Sequence, residues 1–331
     1  MRRLVLLPMI FWMLLTACGG APEATPHPTY TLAPTYTPAT PYPTYTAAPT
    51  YTPAPTATPM PMPTDTPAPT AAPITEQAIE VSPATIPKTE MFTLHSSFVD
   101  DAFVISVSLP WRYEDTKTKT FPVLYMLDAD VGFGYTAGVV QGLNLGYAFQ
   151  EMIVVGIGYG ADNLDDWELL RARDLTPVPY PGYPGSGGAK NFLPFLQEEL
   201  IPHIEATYRA NPSDRGLVGA SAAGLFAVYA LLNAPDTFNR YIAISPSLHW
   251  HDKYVFRYEQ ELAERQTELP VHLYLAAGSK EQRVKTDLEE FYQLLSDRGY
   301  EGLDMTIEIL EGETHGSMPI IAVPRALNVV Y

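Results

Sequence analysis

The sequence predicts an α/β domain: a mainly parallel central sheet with helices on both faces and an antiparallel hairpin at its N-terminal edge. Three observations predict it. Short, nearly continuous apolar runs recur through the second part of the chain, as strands covered on both faces require. Helical patterns alternate with those runs, which favours parallel pairing. A stretch of strict apolar–polar alternation precedes them, as in a half-buried edge strand.

The alternating stretch is "DAFVISVSLP" (101–110), which puts Phe103, Ile105, Val107 and Leu109 on one face. With "MFTLHSSF" (91–98) before it, the two form the edge hairpin. The continuous runs are "FPVLYML" (121–127), "MIVVGIG" (152–158), "GLVG" (216–219), "YIAIS" (241–245), "VHLYLAA" (271–277) and "MTIEIL" (305–310). In 190–208, Phe192, Leu196, Leu200 and Ile204 recur every four residues, which predicts a helix. Further helices fit 222–233, 281–298 and 318–329. Sites in such sheets lie beyond the carboxyl ends of the strands. The residues that follow each run are therefore the candidates for chemistry.

The chain has 331 residues, and its first part does not read as globular. Residues 1–18 begin with Arg2-Arg3, continue through an apolar run and end in Leu15-Thr16-Ala17-Cys18. That is an export signal, with an apolar run too short to span a bilayer comfortably. Its end resembles a bacterial lipobox, in which Cys18 becomes the lipidated first residue; an ordinary secretory signal is the plainer alternative. Cys18 is the only cysteine, so it has no disulfide partner within the chain. Residues 19–76 are almost wholly Pro, Thr, Ala and Tyr, with "PTYT" at 28–31, 34–37, 43–46 and 49–52. Such a segment cannot bury a core, and it reads as a disordered stalk. At about 3.1 Å per residue it would reach on the order of 150–180 Å when extended. Its threonines suit O-glycans, or it is an unmodified spacer. Residues 77–331 have the size of one α/β domain. The formal charge of −17 falls almost entirely in that domain, which argues against nucleic acid and against docking on anionic lipid.

After the run at 216–219 comes Ala220-Ser221-Ala222-Ala223-Gly224 and then a helical pattern. A serine at a sharp strand-to-helix turn, with small residues two before and two after, is the setting of a nucleophile. Gly219 and Ala223 occupy those two places. The amide of Ala222, at the start of the helix, suits a developing oxyanion. The alternative is a serine that only caps the helix. After 305–310 comes Glu311-Gly312-Glu313-Thr314-His315-Gly316-Ser317, a loop that can bring His315 over the serine. After 271–277 comes Gly278-Ser279-Lys280-Glu281, where an acid that orients the imidazole belongs. Glu281 is the first candidate for that acid and Asp287 the second. The order Ser221, Glu281, His315 is that of α/β-hydrolases. The loop 128–131, after the run at 121–127, is expected to supply a second oxyanion donor, Ala129. "HWH" (249–251) could pair on a metal, but no third ligand is evident and no metal is expected.

These residues resemble the esterase branch of the α/β-hydrolases that contains the enterochelin (siderophore) esterases and esterase D. The matching text is "FPVLYMLDAD", "MIVVGIGYG", "RARDLTP", "DRGLVGASAAGLFAVYALLNAPDTFNRYIAISPSLHW" and "EGETHGSMP", and it covers most of 90–331. The resemblance implies an α/β-hydrolase fold, a nucleophile at Ser221, a general base at His315 and hydrolysis of carboxylic esters. The chain departs from the family where Ala223, Ala129 and His249 replace the usual residues, which bears on the shape of the pocket. "RARDLTP" is followed by "VPYPGYPGSGG" (178–188), too rich in Pro and Gly for a regular element and readable as a mobile flap. Arg173 is a candidate for gripping an anionic substrate, or it is an ion-pair partner of Asp174. Trp250 either walls the pocket or belongs to the core.

The expected activity is cofactor-free hydrolysis of small extracellular esters, siderophore-like or other. The expected protein is exported and held to the cell envelope by a lipid on Cys18. Two other readings use the same fold: an acyltransferase acting on envelope glycans or lipids, and an inactive binding module.

Overall fold

The computed structural model describes residues 83–145 and 149–331. The expected signal segment with Cys18 and the expected stalk lie outside the described residues. Strands β1 (Thr89–Ser96) and β2 (Asp101–Ser108) form the predicted hairpin, antiparallel from Thr89↔Ser108 to Ser96↔Asp101. The period-two set Phe103, Ile105 and Val107 is fully buried.

Then come β3 (Phe121–Met126), α1 (Ala129–Leu145), β4 (Ile153–Gly158) and α2 (Leu164–Leu175). A helical stretch follows, made of α3 (Ala189–Pro194), a π-helical turn (Phe195–Leu200) and α4 (Ile201–Thr207). The chain continues through β5 (Ala210–Ala220), α5 (Ala222–Asn233), β6 (Arg240–Ile244), α6 (Trp250–Lys253) and α7 (Val255–Arg265). It ends with β7 (His272–Gly278), α8 (Gln282–Arg298), β8 (Asp304–Leu310) and α9 (Met318–Val330). Among the described residues the strands make one eight-stranded sheet in the order β1-β2-β4-β3-β5-β6-β7-β8. From β4 to β8 the neighbours pair in parallel, and β2 pairs antiparallel with β4. Every residue of β3 and β4 is buried, which is why those strands read as unbroken apolar runs.

One face of the sheet carries α5, α7, α8 and the α3–α4 stretch over the larger core cluster. The other carries α1 and α9 over a smaller one. The expected loop at 128–131 is corrected: only Asp128 of it lies outside the helix, and Ala129 already begins α1. Leu127 and Asp128 connect β3 to α1, and the backbone at Asp128 is left-handed, φ 55°. Among the described residues no helix is long and apolar enough to cross a membrane.

Candidate active site

β5 ends at Ala220 and α5 begins at Ala222, so Ser221 alone forms the corner, at φ 60° and ψ −119°. A residue with a side chain is strained there by about 1–3 kcal/mol and persists only where its surroundings fix it. Here the Ser221 amide donates to Ile244 O at 2.9 Å, and the Ser221 carbonyl accepts from Leu225 N at 2.9 Å and Ser247 N at 3.0 Å. A Cβ at Gly219 would lie 2.3 Å from Ala223 O and 2.9 Å from Ala223 Cβ. The methyl group of Ala223 fits because Gly219 has none. The Ser221 side chain makes no capping bond to α5; its Oγ lies 3.5 Å from Ser247 Oγ. Helix capping therefore does not account for this serine.

The neighbouring strands end in the same way. Asp128 after β3 and Ser245 after β6 have φ 55° and 43°. Left-handed residues that are not glycine gather at functional sites because the strain holds groups in fixed positions. Ala129 and Ala222 follow two of these corners and open α1 and α5. First-turn amides have no acceptor inside their own helix, which leaves both suited to an oxyanion.

His315 meets Glu281 and not Asp287. His315 Nδ1 lies 2.5 Å from Glu281 Oε1. Glu281 Oε2 accepts from Ser245 Oγ at 2.6 Å and from Gly278 N at 2.8 Å. The Glu281 side chain is 6% exposed and that of His315 53%. Burial works to raise the Glu281 carboxyl, but the bonds from His315, Ser245 and the Gly278 amide outweigh it and hold the group below its ordinary value. Gly278 lets the two loops meet, since a Cβ there would lie 2.4 Å from Glu313 O. Asp287 instead receives Lys253 Nζ at 2.8 Å and stands 3.9 Å from His249 Nδ1. No group of metal-ligating side chains forms around "HWH" among the described residues.

Ser221 and His315 line one cavity of about 420 Å³. No direct bond joins them among the described residues. Asp128 and Arg171 also line the cavity, paired through Arg171 Nη2–Asp128 Oδ2 at 2.6 Å and Nε–Oδ1 at 3.2 Å. Burial pushes the Asp128 carboxyl above its ordinary value although the bidentate Arg171 contact acts against it, whereas for Arg171 the contact outweighs burial and raises the guanidinium.

Three expectations need correction. Arg173 does not line the cavity: it binds Asp174 at 2.8 Å and Asp101 at 2.6 Å, the ion-pair alternative. Trp250 does not line it either and packs against the larger core cluster, the core alternative. Its Nε1 donates to Val178 O at 2.9 Å, and its ring packs against Tyr180 and Tyr183. The segment 178–188 is irregular, as expected, but it is tied to α2 and Trp250 and contributes no residue to the cavity wall. Sequence reasoning missed Arg171, Ser245 and the anchoring role of Asp130. The Asp130 carboxylate accepts from Tyr159 N at 2.8 Å and Gly160 N at 2.7 Å and fixes the turn after β4.

Comparison with known proteins bears on the family and the fold. A profile of the Putative esterase family matches residues 96–315. The chain is 31% identical over 263 residues to ferri-bacillibactin esterase BesA of Bacillus subtilis, covering 74% of this chain and 90% of that protein. It is 30% identical over 174 residues to a siderophore triacetylfusarinine C esterase of Aspergillus fumigatus, covering 51% of this chain and 59% of that one. The crystal structure of BES protein from Bacillus cereus matches with TM-score 0.69 and 25% identity, over 77% of this chain and 98% of that one. The matched region runs from the end of the first strand to the candidate histidine, and the chain belongs to the Putative esterase family, carboxylic ester hydrolases with the α/β-hydrolase fold.

Proposed function

We propose that the protein is a serine esterase that works through an acyl-enzyme on Ser221. The observation that carries this reading is the formed Glu281–His315 pair, 2.5 Å apart, beside a cavity that Ser221 also lines. Ser221 Oγ attacks the ester carbonyl carbon and passes its proton to His315 Nε2. Glu281 holds the opposite ring nitrogen and stabilises the imidazolium. The amides of Ala222 and Ala129 receive the oxyanion, each such donor being worth about 3–4 kcal/mol in the transition state. The ester C–O bond breaks, and the alcohol leaves with the proton from His315. Water then attacks the acyl carbon, gives its proton to His315, and Ser221 Oγ departs with it as the carboxylic acid is released.

The formed acid–imidazole pair weighs against an inactive binding module. The names of the relatives make siderophore-like esters the first natural substrates to assay. Replacing the nucleophile of such an enzyme costs about a millionfold in turnover. Ser221→Ala should therefore lose p-nitrophenyl ester hydrolysis while its melting temperature stays close to that of the parent. Turnover that survives in this variant refutes the assignment. We further propose an exported protein anchored by lipid on Cys18, on the strength of the basic start, apolar run and Leu-Thr-Ala-Cys ending. Cys18→Ala should then lose palmitate incorporation; incorporation that persists excludes that anchor.

A further inference from the structure

The cavity beside Ser221 extends from the carboxyl edge of the sheet into the α1/α9 face. Its floor includes Met126, Val218, Ile244 and Val323, all members of the smaller core cluster. At its rim stand Val131 and Ile320, which are 57% and 55% exposed. Interiors are close-packed and keep few voids larger than a water molecule. A cavity of about 420 Å³ with such a floor lies within the roughly 300–1,000 Å³ typical of small-molecule sites.

The charged groups along its wall are already engaged. Arg171 is held by Asp128 and also reaches Glu168 at 3.5 Å. His315 is held by Glu281. Two carboxylates, Asp128 and Glu168, thus face one guanidinium among the described lining residues. An anionic acyl group entering here would lose its water without gaining a cation, which is costly.

We infer that this cavity is the acyl pocket and that it takes an uncharged, apolar acyl group longer than acetyl, with Val131 and Ile320 guiding it in. This inference rests on Ser221 as the nucleophile. The substrate class follows from the lining: a neutral alkyl or aryl carboxylic ester, with the alcohol portion left toward solvent.

The test compares p-nitrophenyl acetate, butyrate, hexanoate and hemisuccinate. A methylene that fills a hydrophobic pocket changes specificity by about tenfold or more. The ratio kcat/KM should rise at least about tenfold from acetate to hexanoate, and hemisuccinate should fall at least about tenfold below butyrate. Acetate as the best substrate, or hemisuccinate equal to butyrate, overturns the inference. Val131→Asp and Ile320→Asp change exposed side chains, so the fold should tolerate them; each should narrow the hexanoate-to-acetate ratio, and an unchanged ratio in both contradicts the assigned rim. Calorimetry on the Ser221→Ala protein separates this inference from the nucleophile assignment. Binding of ethyl hexanoate is expected there, and its absence overturns the pocket. Binding in that variant together with an inert parent enzyme would break the nucleophile reading and leave the pocket standing.

Discussion

The face of the sheet beneath α5, α7 and α8 and the face beneath α1 and α9 are filled with different residues. The first is dense with rings: Phe103 stacks on Phe195 at 4.4 Å, Phe192 meets Phe226 edge-on at 5.0 Å, and Phe256 meets Phe291 at 5.5 Å. The second is mainly aliphatic, with Met126, Val154, Val218, Ile242, Ile244 and Leu327 at its centre, and the cavity beside Ser221 opens into it. Rings that interlock leave little space and bury much apolar area. Met126, Val218, Ile244 and Val323 of this aliphatic face line the hollow. One face therefore carries most of the packing, and the other makes room for a ligand. Along the carboxyl edge between them, β3, β5 and β6 are followed by the left-handed residues Asp128, Ser221 and Ser245.

That division can be broken by substitution. The largest expected effect is on the ring-filled face. Phe226→Ala removes a fully buried ring and should lower unfolding free energy by about 3–5 kcal/mol in chemical denaturation. The variant that remains folded should keep the parent's ranking of ester chain lengths. A changed ranking would mean that the two faces are not independent.

A smaller effect of opposite sign is expected at the strained corner. Ser221→Gly removes the side chain from a backbone conformation that glycine adopts readily. It should raise unfolding stability by about 1–3 kcal/mol while abolishing turnover. A loss of stability would show that the corner is not strained and would remove the physical distinction between the edge and the faces.

The smallest effect is a pH dependence. The Glu281 carboxyl is held below its ordinary value in the fold, whereas unfolded it titrates near about 4.3. A lowered folded value stabilises the protein fully above the unfolded value, and that contribution is lost as pH falls through the folded one. The stability difference between the parent and Glu281→Gln should thus be level above about pH 5 and shrink below about pH 4. A difference that grows on acidification would reverse the sign assigned to this group.

Much of this was legible in the sequence, and the omissions have physical causes. β3 and β4 declared themselves because both faces are covered, and Ser221, Glu281 and His315 stood just beyond apolar runs. α1 was hidden because Gly132, Gly134, Gly138 and Gly142 dilute its apolar pattern and its helix propensity. Missing α2 as a helix led to the wrong arginine. Residues two apart on a helix point about 200° from each other, so Arg171 faces the cavity while Arg173 turns to Asp101 and Asp174. Trp250 could not be placed because its partners, Val178, Tyr180 and Tyr183, lie in a segment without periodicity. Ser245 closes an apolar run and lies in the text that matches the family, but its role depends on a left-handed backbone and on a carboxylate 36 residues away in sequence.

The central claim is that serine, imidazole and carboxylate act as one unit at this edge. Reaction of the folded protein with a fluorophosphonate, followed by peptide mass spectrometry, tests it most directly. The account predicts one adduct, on Ser221, formed rapidly in the parent and at least about a hundredfold more slowly in His315→Ala. An unmodified Ser221, or labelling at the same rate without the imidazole, would contradict it.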